Sequence, residues 1–543
     1  MTSPRWGSSR RILLHGGSIY SPVSPFATAM LVDGDTVAWL GEDSAAHAHR
    51  DSADVVIDLR GALVTPGFVD AHVHTTSTGL ALTGLDLAGA TTLDEALGML
   101  SEHAARVSEG VILGHGWDET RWSDRQAPTR DDVDRAAPGR LVYLSRIDVH
   151  SAAVSSALID ATPGVQSLAG YDVAAPLSRA AHHAVRENAL ASVDSGQRRA
   201  AQQGARHHAA SLGVVAMHEM AGPSISSAED LADLLALSEA EAGPLITGYW
   251  GELASGGGLD RALEIGAFAV GGDLSVDGAI GSRTACLRHP YSDAPDTLGA
   301  RYLSVDDVTA HVIAVSEQGM QSGFHVIGDG ACEIVVAGLL AAAEHVGAAR
   351  MRALMHRLEH AEMLSDEQIA ALAALGVTAS MQPMFDGLWG GTSGMYAERL
   401  GVERVHGMNR AADLVAKGVL VAFGSDAPVT PIGPWAAVRA AVLHHEPSQR
   451  LSARAAFGAH TRSGWRAIGQ SETGTLAPGA PAHYALWSTD ELAVQAPDER
   501  ISAWSTDPRS GTPGLPTLSA DGPLPICLRT VVHGAAVFDD FDE

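Results

Sequence analysis

Gly67-Phe68-Val69-Asp70-Ala71-His72-Val73-His74 closes an apolar stretch that begins at Leu63 and bends at Pro66-Gly67. Alternate residues of a strand project to the same side, so this octet predicts a strand that carries two imidazoles, His72 and His74, on one face near its end. Alone, an H-x-H pair reads equally well as two hydrogen-bonded polar histidines. Its meaning is set by what recurs downstream: His325 in Gly323-Phe324-His325-Val326-Ile327-Gly328-Asp329, His360 in Arg357-Leu358-Glu359-His360, and Asp426 in Gly424-Ser425-Asp426 after the run Val419 to Phe423. Barrel enzymes keep their chemistry at strand ends, so these segments read together as one split metal site. Histidine and carboxylate ligands without a thiolate suit Zn, Mn or Fe in a hydrolytic centre better than a structural Zn.

Outward from the octet, strand-like runs alternate with Ala-rich helical stretches such as Asp307 to Gln318, Asp366 to Leu375 and Asn409 to Lys417. That alternation marks βα units and a parallel sheet. Eight runs are candidate barrel strands: Val69 to His74, Val214 to His218, Ile246 to Trp250, Asp273 to Asp277, Gly323 to Val326, Leu354 to His360, Val377 to Met381 and Val419 to Phe423. The count works only if about 83–206 is an insertion after the first strand, where long barrel loops shape access to the site. Leu13 to Asp58 alternates short apolar runs with turns, and the same style returns from about Gly474. The predicted fold is α/β: a (β/α)8 TIM barrel over residues 67–467 carrying that insertion, with residues 1–66 and 468–543 closing one small β-sandwich.

Length and composition narrow the function classes. A chain of 543 residues, 46% hydrophobic, has room for a barrel core and a second small domain. Its formal charge of −28 and lack of any basic run argue against nucleic acid or an anionic membrane as partner. Three cysteines, Cys286, Cys332 and Cys527, without C-x-x-C spacing give no disulfide framework and no thiolate site, which fits a cytoplasmic setting. Ser9-Arg10-Arg11 is followed by His15, Gly16 and Gly17, which break the apolar region an export signal needs, and no run reaches the ~20 apolar residues of a membrane span. The expected partner is a small-molecule substrate, with a homodimer as the candidate assembly.

Several stretches, in order, carry a family resemblance: Thr65-Pro66-Gly67-Phe68-Val69-Asp70-Ala71-His72-Val73-His74, Gly114-His115-Gly116-Trp117-Asp118-Glu119, Asp277-Gly278-Ala279-Ile280-Gly281-Ser282-Arg283-Thr284-Ala285, His325-Val326-Ile327-Gly328-Asp329, Arg357-Leu358-Glu359-His360-Ala361, Gln382-Pro383 and Gly424-Ser425-Asp426-Ala427-Pro428. With these the chain resembles the amidohydrolase superfamily, and more narrowly the subgroup that includes N-substituted formamide deformylases. The resemblance implies a (β/α)8 barrel with a terminal β-sandwich, metal ligands at His72, His74, His325, His360 and Asp426, and one or two divalent ions, Zn first, with Mn or Fe as alternatives. Two-metal members commonly bridge their ions with a carboxylated lysine on the fourth strand, and this chain has Asp273 there. Lys417, the only lysine among 36 basic residues, falls in a helical stretch before the last strand and does not replace it. Either Asp273 bridges the ions, which requires the backbone after Gly271-Gly272 to approach them closely, or only one ion binds and Asp273 merely caps a turn.

The resulting expectation is a hydrolase that cleaves an amide, N-formyl or N-acyl C–N bond with metal-activated water, Asp426 serving as general acid and base. Substrate contacts are expected from His218 at the end of the second strand and from Asp148 and His150 in the insertion. Trp117, as pocket wall or core, and Arg283, as a substrate-carboxylate ligand or the partner of a local acid, complete the candidates. His345, His356, His444 and His445 read as structural or surface residues. The chain lacks G-x-S-x-G, a P-loop and H-E-x-x-H. Competing readings are a metal-dependent isomerase or lyase on the same barrel, and a metal-binding barrel without catalysis.

Overall fold

The structure is a computed structural model and describes residues 6–107, 109–493 and 513–542. Its centre is one sheet of eight parallel strands: β1 (Phe68–Val73), β2 (Val214–Ala221), β3 (Leu245–Trp250), β4 (Ala269–Val270), β5 (Gln321–Val326), β6 (Arg357–His360), β7 (Thr378–Met381) and β8 (Val421–Phe423), hydrogen-bonded in that order. Every residue of β1, β2 and β3 is buried, as expected of parallel strands covered on both faces. The sheet curls until its ends meet: the His74 N–H donates to the Ala427 carbonyl at 3.0 Å and the Asp426 N–H to the His72 carbonyl at 2.7 Å. This is a TIM-barrel-like α/β fold. Helices between the strands start on Ser capping boxes, Ser304 with Asp307 and Ser365 with Gln368, which satisfy the first free N–H groups of each helix.

The fourth strand differs from expectation. It was placed at Asp273 to Asp277, but the ladder holds only Ala269–Val270, and beyond it a single bridge joins Ser275 to His325. The cause is Gly271-Gly272, with φ of 127° and 81°. Both lie where L side chains are strained, and a Cβ on Gly271 would lie 2.2 Å from the Gly323 carbonyl oxygen. The chain therefore leaves the ladder early and turns Asp273 into the barrel mouth.

Between β1 and β2 lies a five-stranded layer ordered Leu177–Ser178, Ser151–Val154, Val142–Arg146, Ile112–Trp117 and Leu85–Asp86. It carries helices Leu93–Arg106, Arg130–Ala136 and Arg179–Ala191. The following helix, Ser195–Ser211, packs instead against helix Thr75–Thr83 and β2, so it belongs to the barrel wall rather than to the inserted layer.

The chain ends form two further sheets. One orders Thr36–Gly41, Ala29–Asp33, Arg11–His15 and Val55–Asp58; the other orders Ser18–Ile19, Leu63–Pro66, Tyr484–Ser488, Ile526–Val532 and Ala535–Asp539. Leu14, Met30, Val32 and Ile57 of the first share a core with Val64, Tyr484, Leu486 and Val531 of the second. Part of the expected C-terminal half, residues 494–512, lies outside the described residues. The second sheet is fixed to the barrel floor by aromatic contacts: Phe68 meets Trp435, Phe457 and Trp487 edge-on at centroid separations of 5.1, 5.3 and 5.7 Å.

Candidate metal centre

His72 and His74, two residues apart at the end of β1, aim their Nε2 atoms at the same pair of carboxylates. His72 Nε2 is 3.5 Å from Asp273 Oδ2 and 3.2 Å from Asp426 Oδ1; the corresponding distances from His74 Nε2 are 3.3 and 3.1 Å. His360 Nε2, from the end of β6, lies 3.8 Å from Asp273 Oδ1. Two overlapping triads result, His72–His74–Asp273 and His72–His360–Asp426, each with its ligand atoms within 4.8 Å of one another. The His325 ring sits beside them, 4.5 Å from that of His360 between centroids. His360 and Asp426 both hold positive φ, 67° and 56°, a strained conformation for non-glycine residues that clusters at functional sites.

The donor set fits a divalent cation. His72 Nε2, Asp273 Oδ1 and Asp426 Oδ1 are buried without a hydrogen-bond partner, and each such group costs about 1–3 kcal/mol when left unsatisfied. A cation at their point of convergence satisfies all three. The proton affinities point the same way. Burial works to lower the His72 pKa, yet Asp273 and Asp426 raise it well above the usual imidazole range. For His74, burial is again opposed by the two carboxylates, and the pKa rises to about 9. Asp273 and Asp426 move the opposite way: burial would raise them, but the neighbouring imidazoles hold both below the usual carboxylate range. A field that draws protons onto these nitrogens draws a metal ion equally.

The far side of each imidazole is fixed. His74 Nδ1 meets the Met220 carbonyl at 2.8 Å, an acceptor only, so the N–H is on Nδ1 and the Nε2 lone pair faces the site. His72 Nδ1 donates to Glu359 Oε2 at 2.9 Å, and His360 Nδ1 to Gln382 Oε1 at 2.8 Å. Holding a ligand imidazole by its other nitrogen orients it and raises its basicity. Burial would raise the Glu359 pKa, but Arg357, at 2.5 Å, keeps it lowered and the carboxylate charged. Asp70 completes the support by accepting from the Ser425 N–H at 2.9 Å and the Ser425 hydroxyl at 2.6 Å, which ties β1 to the loop carrying Asp426.

Two cavities open on this centre and share His150 and His325. One, about 340 Å³, is walled by Phe385, Trp389, Met395, Tyr396, Ile280 and Val429, and Asp148, Glu362, His360 and Asp426 also line it. Burial raises the Glu362 pKa to about 7, and its Oε2 has no partner. The other, about 490 Å³, holds His74, Asp273, His183, Arg186, Ser224 and Ser275.

Of the expected substrate contacts, the structure brings Asp148 and His150 to the cavities. Asp148 is held by Arg146 at 3.0 Å and by the Ser282 hydroxyl at 2.8 Å. His218 is elsewhere: β2 runs three residues past it, so it lies within the barrel, where its Nδ1 accepts from Arg357 at 2.9 Å. Burial, then the Arg357 charge, holds it neutral. Trp117 lies in the core of the inserted layer with its Nε1 donating to the Leu144 carbonyl at 2.8 Å. Arg283 pairs with Asp293 at 2.5 Å. Neither residue lines the two cavities.

Sequence reasoning overlooked Arg357, Glu359 and Gln382, although all three lie inside quoted motifs. The period of two along β6 puts Arg357 and Glu359 on one face, a signal that was available. Arg186, His183, Glu362 and the aromatic wall carried no local signature.

A model of the amidohydrolase family matches residues 55–538. Over 86% of its length the chain is 25% identical to N-substituted formamide deformylase of Arthrobacter pascens, covering 91% of that protein. It is 27% identical to the protein LONG AFTER FAR-RED 3 of Arabidopsis thaliana over 93% of this chain and 91% of that one. Among solved structures, an uncharacterised metal-dependent hydrolase of Pyrococcus furiosus superposes with a TM-score of 0.68 at 25% identity, covering 88% of this chain and 99% of the other.

Proposed function

The chain belongs to the amidohydrolase family and is a metal-dependent hydrolase, and from that premise we propose that it cleaves the C–N bond of an amide, N-formyl or N-acyl small molecule, with Asp426 as general acid and base. The observation that carries this reading is the convergence of His72, His74, His360, Asp273 and Asp426 at the mouth of the barrel. His72, His74, His360 and Asp426 would hold the ion, His325 stands beside them, and Asp273, which joins His72 and His74 in one triad and lies 3.8 Å from His360 Nε2, would take the place of a bridging lysine. When bound, the ion lowers the pKa of a water from 15.7 to about 7, giving a nucleophile at neutral pH, and polarises the scissile carbonyl. Zn suits this set of nitrogen and oxygen donors best, with Mn or Fe as alternatives.

Asp426, between His72 and His74, accepts the proton of the attacking water and returns one to the departing nitrogen. The neighbouring imidazoles keep its carboxylate ionised, the form a general base requires. His150, shared by both cavities, contacts the substrate near the reacting carbonyl. The aromatic compartment excludes water and takes an apolar group. The similarity to a formamide deformylase supports a small acyl group, with formyl first.

The test is a panel of N-formyl and N-acyl amines, dipeptides and esters incubated with metal-loaded protein, scoring free amine and free acid together. Release of both from formamides or N-acyl amines in preference to dipeptides and esters is the expected result. Turnover of esters alone, or conversion without release of an amine, overturns the bond assignment.

A further inference from the structure

Helix Arg179–Ala191 of the inserted layer turns His183, Arg186 and Leu190 towards the barrel mouth, while His182, Val185 and Ala189 are buried. The spacing of three and four residues puts the first group on one helix face. Arg186 lines the same cavity as His74, Asp273 and His325, and among the described residues it makes no hydrogen bond and no ion pair. The chain has 64 acidic residues against 36 basic ones, and among the described residues every buried arginine has partners: Arg146 meets Asp118, Glu119 and Asp148, Arg357 meets Glu359, Arg399 meets Glu119, Asp293 and Glu398, Arg529 meets Asp539, and Arg206 donates to the Glu241 and Pro244 carbonyls.

Among the described residues Arg186 is also the only arginine or lysine lining that cavity. His183 does not add to it, because burial, with the charges of His150 and Arg186, lowers its pKa to about 4. The two cavities thus differ in kind across the metal centre. One is apolar and aromatic, with an unpartnered Glu362 oxygen; the other offers a single fixed positive charge beside the Ser224 and Ser275 positions.

We propose that Arg186 anchors a carboxylate carried by the substrate, so that the molecule cleaved is an N-acyl amine that directs an acid group into one cavity and an apolar group into the other. This rests on the hydrolase reading above. A guanidinium presents a rigid fork of donors that matches a carboxylate bidentately. The half-buried position of Arg186 screens that pairing less than an exposed one. The acid end lies on the Arg186 side of the metal, the apolar end lies among Phe385, Trp389 and Tyr396, and the acyl carbonyl falls between them near His150 and Asp426.

The experiment has a binding arm and a turnover arm, both on metal-loaded protein. In the first, calorimetry compares 3-phenylpropanoate with 3-phenylpropanol, neither of which contains a hydrolysable bond, on the wild type, Arg186→Gln and Arg186→Lys. The expected result is a preference of about 30-fold for the acid in the wild type, lost in Arg186→Gln and partly kept in Arg186→Lys, at equal metal content. Equal binding of acid and alcohol by the wild type overturns the proposal. So does undiminished acid binding by Arg186→Gln, which would mean that the metal grips the carboxylate unaided. In the second arm, N-formylphenylalanine, both enantiomers, is set against N-formylphenethylamine. The expected result is that Arg186→Gln lowers kcat/KM for the acid about 30-fold more than for the neutral formamide; an equal loss on both overturns the proposal. If neither formamide is cleaved, the bond assignment of the preceding subsection fails, and the binding arm alone decides the role of Arg186.

Discussion

Asp426 Oδ1 and His74 Nε2 meet at 3.1 Å, and this contact makes two separate demands on protons. Asp426 must be free to take one, so Asp426→Asn is expected to lower kcat/KM by about 10²- to 10⁴-fold, the usual worth of a general acid–base, while metal analysis finds most of the ion still bound. Activity within a few-fold of the wild type would remove Asp426 from that role. His74 must be free of one. Its proton is held up to about pH 9 in the metal-free protein, and a metal competes for the same lone pair. Metal affinity is therefore expected to rise with pH until about 9, by about tenfold per unit for each proton displaced, and titrations with a fluorescent chelator between pH 6 and pH 8 measure the slope. A flat profile would mean that the His74 proton is not in competition. Behind His72, Glu359→Gln keeps the shape of the hydrogen bond but removes the charge that faces Arg357. A loss of about 10- to 100-fold in metal affinity is expected, read by competition with the same chelator.

At the scale of elements, the inserted layer is attached to the barrel by ions as well as by apolar packing. Arg146 on strand Val142–Arg146 holds Asp118, Glu119 and Asp148 at 2.9–3.0 Å, and Glu119 passes the contact on to Arg399 on helix Met395–Leu400, which also carries Met395 and Tyr396 of the aromatic wall. Arg146→Met strips three buried carboxylates of their cation and is expected to cost about 3–5 kcal/mol at neutral pH, measured by chemical denaturation. Burial would raise Glu119 and Asp148, but Arg146 holds both below their ordinary values of 4.5 and 3.8. Their contribution is thus complete above about pH 4.5 and is lost as the pH falls through the lowered values, so the gap between wild type and variant should narrow in acid. A gap that widens on acidification would refute this account. Legibility in the sequence also divides by element. The barrel segments other than the fourth are readable because each is a short apolar run closed by a turn. The fourth went astray because its ladder is two residues long and Gly271-Gly272 then break the alternation. The convergence of the candidate ligands is legible because they sit at strand ends, where type and position coincide. His218 misled because β2 continues to Ala221, which nothing in its apolar run marks. Arg186 was invisible for a different reason: its meaning comes from the carboxylates it does not meet, a fact of three-dimensional packing.

Across the whole molecule, an ion held at this centre would couple metal to fold, because the candidate ligands come from β1, the turn after β4, the end of β6 and the loop after β8. Chelation is expected to lower the thermal midpoint, and restoring the ion at 100 times its dissociation constant to return about 2.7 kcal/mol; calorimetry with and without chelator measures both. Among the described residues no single helix is long and apolar enough to cross a membrane. The barrel seam has one further consequence. His72 and Asp426 join the first strand to the loop after the last, Asp70 and Ser425 lock the same seam across 355 positions of sequence, and Tyr484–Ser488 pairs with Leu63–Pro66 beneath it. A chain still emerging from the ribosome therefore displays His72 and His74 long before Asp426 exists to join them. Completion of the His72–His360–Asp426 triad is therefore a late event in biosynthesis, reached only after the loop beyond the last barrel strand has emerged.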